Sequence, residues 1–253
     1  MQKLPRTVVV LGFVSFLNDF ASDIVIPLIP ILLATVLAAG PVALGLIEGV
    51  ADAVAAFLKL WSGRNSDVFS GRRKGLTVFG YLLSNVARPL LGLATAWPVV
   101  LILRSVDRMG KGVRSAPRDA LVADVTPPAM RGYAYGFHRA LDNGGAVAGA
   151  LVAAAILAWS PITLAQVILL SAIPGFFAVV LVAFGVKDEE PGPSADKPNS
   201  LPPLSWSGLS GPMRRYLLVL GLFTFAKASE TFILLIGYQL GVGVVELLLL
   251  WAA

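Results

Sequence analysis

The stretch RSVDRMGKGVRSAPRDA, residues 104–120, sets Arg104, Arg108 and Lys111 at i, i+4 and i+7, with Asp107 beside them. On a helix these share one face. A guanidinium presents a planar fork to carboxylate or phosphate, so this face can hold an organic acid or pair with acidic side chains elsewhere. Acidic side chains recur at one-turn spacing: Asp19 with Asp23, Glu48 with Asp52, and Asp142 one turn from His138 and beside Arg139. A carboxylate in apolar surroundings binds a proton more readily, and an approaching cation reverses that. Such a group can take up and release a proton as charges move around it. Asp19 and Asp23 are the first candidates for that chemistry and Asp142 the next, while His138 reads as an ordinary hydrogen-bonding residue. Glu48, Asp52, Arg104, Asp107, Arg108 and Arg139 are candidates for a solute pathway. The wider set of buried charges includes Arg88, Lys227 and Glu230.

Other chemistries lack their residues. With a single histidine and no cysteine there is no metal-ligand cluster, no disulfide framework and no Ser/His/Asp arrangement. Gly110 and Gly112 follow no strand and precede no Gly-Lys-Ser/Thr, which excludes a nucleotide loop. No cofactor and no catalytic residue is expected.

The elements that position these charges follow from composition. Of 253 residues, 57% are hydrophobic and 14% charged, and the mean hydropathy is +0.79. Those values exclude a soluble globule and specify an all-α integral membrane protein. Apolar runs of roughly 20 residues, the length a bilayer of about 30 Å requires, fall near 7–37, 42–62, 75–95, 97–117, 132–157, 162–186 and 215–238. Pro27 and Pro30 are expected to kink the first. The net charge of +5 orients the chain and does not signal nucleic acid. The turns near 38–42, 94–98 and 158–162 carry no charge, whereas Lys3, Arg6, Arg64, Arg72, Arg73, Lys74, Arg118, Arg131, Lys187, Lys197, Arg214 and Arg215 mark the alternate ends. The positive-inside rule makes those ends, and the N-terminus, cytoplasmic. A helix entering at Trp97 then carries Arg104 about 10 Å and Arg108 about 16 Å deep. An unpaired arginine there costs about 3 kcal/mol or more, so the face must meet acidic partners or a water-filled cavity. Gly145, Gly149 and Ala153 have the spacing of a close helix crossing.

The segment from Lys187, KDEEPGPSADKPNSLPPLSWSGLSGPMRR, is rich in Pro, Ser, Gly and charge and reads as a linker. The chain therefore divides into a six-helix bundle at 1–186, a cytoplasmic linker at 187–214 and the start of a second bundle at 215–253. The final run, GVGVVELLLLWAA, would rise only about 20 Å as a helix. It predicts a piece of a longer protein.

Two connections carry motifs. GRNSDVFSGRRKG places Gly63, Asp67, Gly71, Arg72 and Arg73 between the second and third runs, and ADVTPPAMRG places Asp124 and Arg131 between the fourth and fifth. The first resembles the signature loop of the major facilitator superfamily, Gly, three residues, Asp, two residues, Gly, then basic residues, with one extra residue here because Val68, Phe69 and Ser70 separate Asp67 from Gly71. The second resembles the acidic, proline and Arg-Gly connection of the same superfamily. NDFASDIVIPLIP, GKGVRSAPRDAL and FHRALDNGGAVAG are similar to a bacterial branch of unassigned substrate.

The resemblance implies a bundle of two six-helix halves in the cytoplasmic membrane, and a secondary transporter that moves a small organic solute by alternating access. It also implies a gating role for the seven loop residues, while the excess of carboxylates among the buried charges points to coupling to protons. The lipid bilayer, a small-molecule substrate and protons are the partners implied. The arginines favour an organic anion or zwitterion; a cationic solute would use the carboxylates of the first two helices instead. A half-bundle with a structural or regulatory binding role is the alternative.

Overall fold

The first apolar run folds as α1 (Arg6–Val25), a 3-10 turn (Ile26–Leu28) and α2 (Ile29–Thr35). Pro27 and Pro30 cannot donate the backbone bonds an α-helix needs there, and the tighter turn falls on that segment without ending the span. The computed structural model describes residues 4–68, 73–186, 205–226 and 229–253, and every regular element among them is helical. They are α3 (Pro41–Val68), α4 (Arg73–Leu90), α5 (Trp97–Val125), α6 (Arg131–Trp159), α7 (Leu164–Leu170), α8 (Ala172–Gly185), α9 (Gly211–Ala226), α10 (Thr231–Gln239) and α11 (Val244–Ala252).

Two expected runs are divided. The run at 162–186 breaks at Ser171, because Pro174 has no N–H to offer the carbonyl one turn earlier. Thr163 and Gln166 form a capping box that starts α7. The run at 215–238 becomes α9 and α10, with a fresh helical start at Ser229 and Glu230, whose carbonyls accept from Phe232 and Ile233. Two helices outlast their apolar windows: α3 ends at Val68 rather than 62, and α5 at Val125 rather than 117.

Among the described residues, five helical stretches are long and apolar enough to cross a membrane: Arg6–Thr35, Pro41–Ser66, Arg73–Leu93, Pro128–Trp159 and Leu164–Gly185. This is a multi-pass membrane protein. With 29 residues α5 has the length but too many charges, and it packs along both α3 and α4. Along the other side α1 packs on α6 and α8, and α11 on α6. Contact between α1 and α6 is backbone to backbone. A Cβ at Gly145 would sit 2.2 Å from the Phe16 carbonyl oxygen and one at Gly149 2.3 Å from that of Phe20, so only glycine permits the crossing.

Two apolar cores stabilise the bundle by removing side chains from water and filling space. One gathers Leu28, Ile29, Leu32, Leu44, Val100 and Ile168 near α2, and the other Val8, Leu11, Val14, Leu121 and Val182 near the start of α1. Between them lies a belt of buried polar and charged residues.

Candidate solute cavity

Three helix faces meet in that belt. On α1, Asp19, Ser22 and Asp23 follow one turn; on α3, Gly45, Glu48, Gly49 and Asp52 do the same; on α5 the stripe is Arg104, Arg108 and Lys111. They wall a cavity of about 620 Å³ whose far side is supplied by Thr224, Ser229, Glu230, Thr231, Phe232 and Trp251. Periodicity of 3.6 residues brings each stripe to one side of its helix, and the crossing of α3 on α5 brings two stripes together.

The α5 arginines are already engaged. Arg104 is 1% exposed. Its Nε and Nη2 donate to the two oxygens of Glu48 at 3.1 and 3.3 Å, and its Nη1 donates to Asp107 at 3.2 Å. Asp107 lies behind the wall and also accepts from Arg88 Nη2 at 2.9 Å. Arg108 stands 3.7 Å from Glu48 and 3.5 Å from Asp52. Arg88 is held further by the Asn18 carbonyl and the Asn85 amide oxygen, at 3.2 and 3.1 Å. Deeper along α5, Arg114 donates to Ser84 at 2.7 Å and lies over the Tyr81 ring.

Carboxylates on α1 are held differently. Asp23 accepts a hydrogen bond from Trp251 Nε1 at 2.9 Å, and Asp19 accepts from Asn18 Nδ2 at 2.8 Å. Neither has an ion pair among the described residues. The Trp251 contact ties α1 to α11, which follows the linker segment in the sequence.

Asp142 and Arg139 are not part of the cavity wall. Asp142 accepts from the Ser15 hydroxyl on α1 and lies 3.6 Å from His138 Nε2 and 3.5 Å from Arg139 Nη1. Arg139 is largely exposed, and Arg118 reaches the same Ser15 oxygen at 3.3 Å. This is a second cluster, one turn along α1 from Asp19.

The sequence profile of the Major Facilitator Superfamily matches residues 11–253. The chain belongs to the Major Facilitator Superfamily. An uncharacterized MFS-type transporter of Methanocaldococcus jannaschii is 33% identical over 234 residues, which cover 92% of this chain and 57% of that protein. An uncharacterized protein of Mycobacterium tuberculosis is 33% identical over 213 residues, covering 79% of this chain and 52% of that one. The chain spans about half the length of the curated relatives it matches. Among solved structures, a POT family transporter in complex with 5-aminolevulinic acid aligns with a TM-score of 0.63 at 19% identity, over 96% of this chain and 49% of that one. A D-xylose-proton symporter aligns with a TM-score of 0.60 at 15% identity, over 98% and 64%. Likeness at such identities shows the shared fold.

The two superfamily loops meet in the structure. Arg73, buried at the start of α4, pairs with Asp124 at the end of α5, and its Nε donates to the Ser66 carbonyl at 3.2 Å. Arg131 bonds the Ala123 carbonyl at 3.3 Å. Gly63 brings α3 against Ala116 of α5, where a Cβ would lie 3.3 Å from that of Ala116. Gly71 and Arg72 lie outside the described residues, as do the Asp67 side chain and Lys227. Six of the solute-pathway and proton candidates thus line one cavity, Asp107 backs it, and Asp142 and Arg139 stand apart. Trp251 had no local signal: its partner lies 228 residues earlier.

Proposed function

We propose that the full protein is a secondary transporter of a small organic solute, working by alternating access and driven by protons. The observation that carries this reading is the charged cavity of about 620 Å³ between two apolar cores. A static bundle gains little from buried charge, since apolar packing serves it as well. Superfamily membership supports the same reading. The cavity walls come from opposite sides of the linker, α1, α3 and α5 before it and α10 and α11 after it, so movement of one group against the other opens or closes it. Asp19 and Asp23 are the proton carriers in this scheme, being carboxylates on the wall without a cation beside them. The Arg73 pair with Asp124 is a latch between the α3–α4 and α5–α6 connections. The N-terminus and these connections are cytoplasmic, and the membrane is a bacterial cytoplasmic one.

Reconstituted full-length protein tests the scheme. Asp23→Asn is expected to abolish uptake driven by a pH gradient while solute exchange, which moves no net proton, continues at saturating solute. Gradient-driven uptake at the unaltered rate would remove Asp23 from the coupling step. For orientation, single cysteines at Ala39 and Ala96 should react with an impermeant thiol reagent from outside the cell and one at Ser194 should not; the reverse pattern inverts the topology.

A further inference from the structure

Charge on the cavity walls does not balance. Arg88, Arg104 and Arg108 face Glu48, Asp52 and Asp107, and each of the six has an oppositely charged partner at 3.7 Å or less. Arg104 commits Nε, Nη1 and Nη2 to carboxylates, which leaves no fork for an incoming acid. What remains on the α1 and α5 walls is Asp19, Asp23 and Lys111, none with an ion pair among the described residues. Two carboxylates therefore stand against one ammonium. On these two walls the surplus is a single negative charge, beside apolar cores where unpaired charge is costly.

We propose that the solute is an organic monocation, its positive centre held by Asp19 and Asp23 and its apolar body seated against Phe232 and Trp251. This rests on the transporter reading above and names the class of solute. A monocation neutralises the α1 and α5 walls. An organic anion would find Lys111 opposed by two carboxylates and Arg108 already paired with Glu48 and Asp52, and a zwitterion would leave the surplus in place. The two aromatic side chains add apolar area and, for Trp251, a ring face that attracts cations. Lys111 opposes the bound cation across the cavity, so its removal strengthens binding, a sign that a scaffold role does not predict.

The test uses tetraphenylphosphonium and tetraphenylborate, which share a shape and differ in charge. Both are titrated into purified full-length protein in detergent. Saturable phosphonium binding is expected, weakened about tenfold or more by Asp19→Asn or Asp23→Asn and tightened several-fold by Lys111→Gln. Asp23→Glu keeps the charge and should keep the affinity, which separates lost charge from lost folding. Preference for the borate, or phosphonium binding indifferent to all of these substitutions, overturns the proposal. The transporter reading is judged separately with Gly49→Cys in a cysteine-free background. A side chain there meets no atom within 4 Å and projects into the cavity. Modification of that cysteine from both sides of a proteoliposome, shifting with the pH gradient, upholds alternating access whatever ion binds. Access from one side under every condition overturns alternating access, even if the phosphonium binds.

Discussion

The charged residues of α3, α4 and α5 and those of α1 are neighbours, since Arg88 also bonds the Asn18 carbonyl next to Asp19, yet one set is closed and the other open. In the closed set the guanidinium groups and carboxylates match one for one: Arg88 and Arg104 are buried and hydrogen-bonded to Glu48 and Asp107, and Arg108 pairs with Glu48 and with the more exposed Asp52 at 3.7 and 3.5 Å. In the open set, two carboxylates face a cavity with only a tryptophan N–H and an asparagine amide as hydrogen-bond donors. Buried charge can be scaffold or chemistry, and what separates the two is whether the groups are already satisfied.

Four substitutions break or sharpen that contrast. Asp107→Asn should be the most damaging, costing about 3–5 kcal/mol because Arg88 and Arg104 lose a shared counter-charge in the interior. Unfolding of the purified protein in mild detergent measures it, and a loss under about 1 kcal/mol would move Asp107 out of the closed set. Gly149→Ala should cost about 1–3 kcal/mol by forcing a methyl onto the Phe20 carbonyl, next to Asp19. Solute affinity should fall with it if α1 is displaced, and affinity unchanged at that loss of stability would show the open set to be insulated from this crossing. Trp251→Phe removes one N–H and should cost about 0.5–1.5 kcal/mol. Its larger effect is on the pH profile of uptake, since Asp23 loses its donor; an unshifted profile would make the contact incidental. Asp19→Asn should change stability by no more than about 0.5 kcal/mol, while gradient-driven uptake disappears. A large stability loss there would place Asp19 with the scaffold.

Much of this architecture is legible in the sequence. Five of the seven apolar runs coincide with helices long and apolar enough to cross a membrane, and the i, i+4, i+7 spacing of Arg104, Arg108 and Lys111 placed all three on one wall of one cavity. Pairings were not legible. Asp142 has the same composition and one-turn spacing as Asp19, yet it faces Ser15 and not the cavity, because the α1–α6 crossing at Gly145 and Gly149 decides which sides meet. Hydropathy also misses the ends of α3 and α5, since it reports the thickness of a membrane, whereas helices continue past it wherever partner helices accept their polar faces. The break before α10 depends on Ser229 and Glu230 starting a new set of backbone bonds, which an apolar average conceals.

One consequence reaches back to the synthesis of the protein. On its own, α5 fails the hydropathy that marks the other long helices, so a translocon sampling helices singly would reject it. It can leave the aqueous channel only in company, with Glu48 of α3 and Arg88 of α4 already waiting to satisfy Arg104 and Asp107. Both precede it in the chain. The ion pairs that silence those arginines are thereby the passport of α5 into lipid, and the order in which the ribosome delivers α3, α4 and α5 is the order its insertion demands.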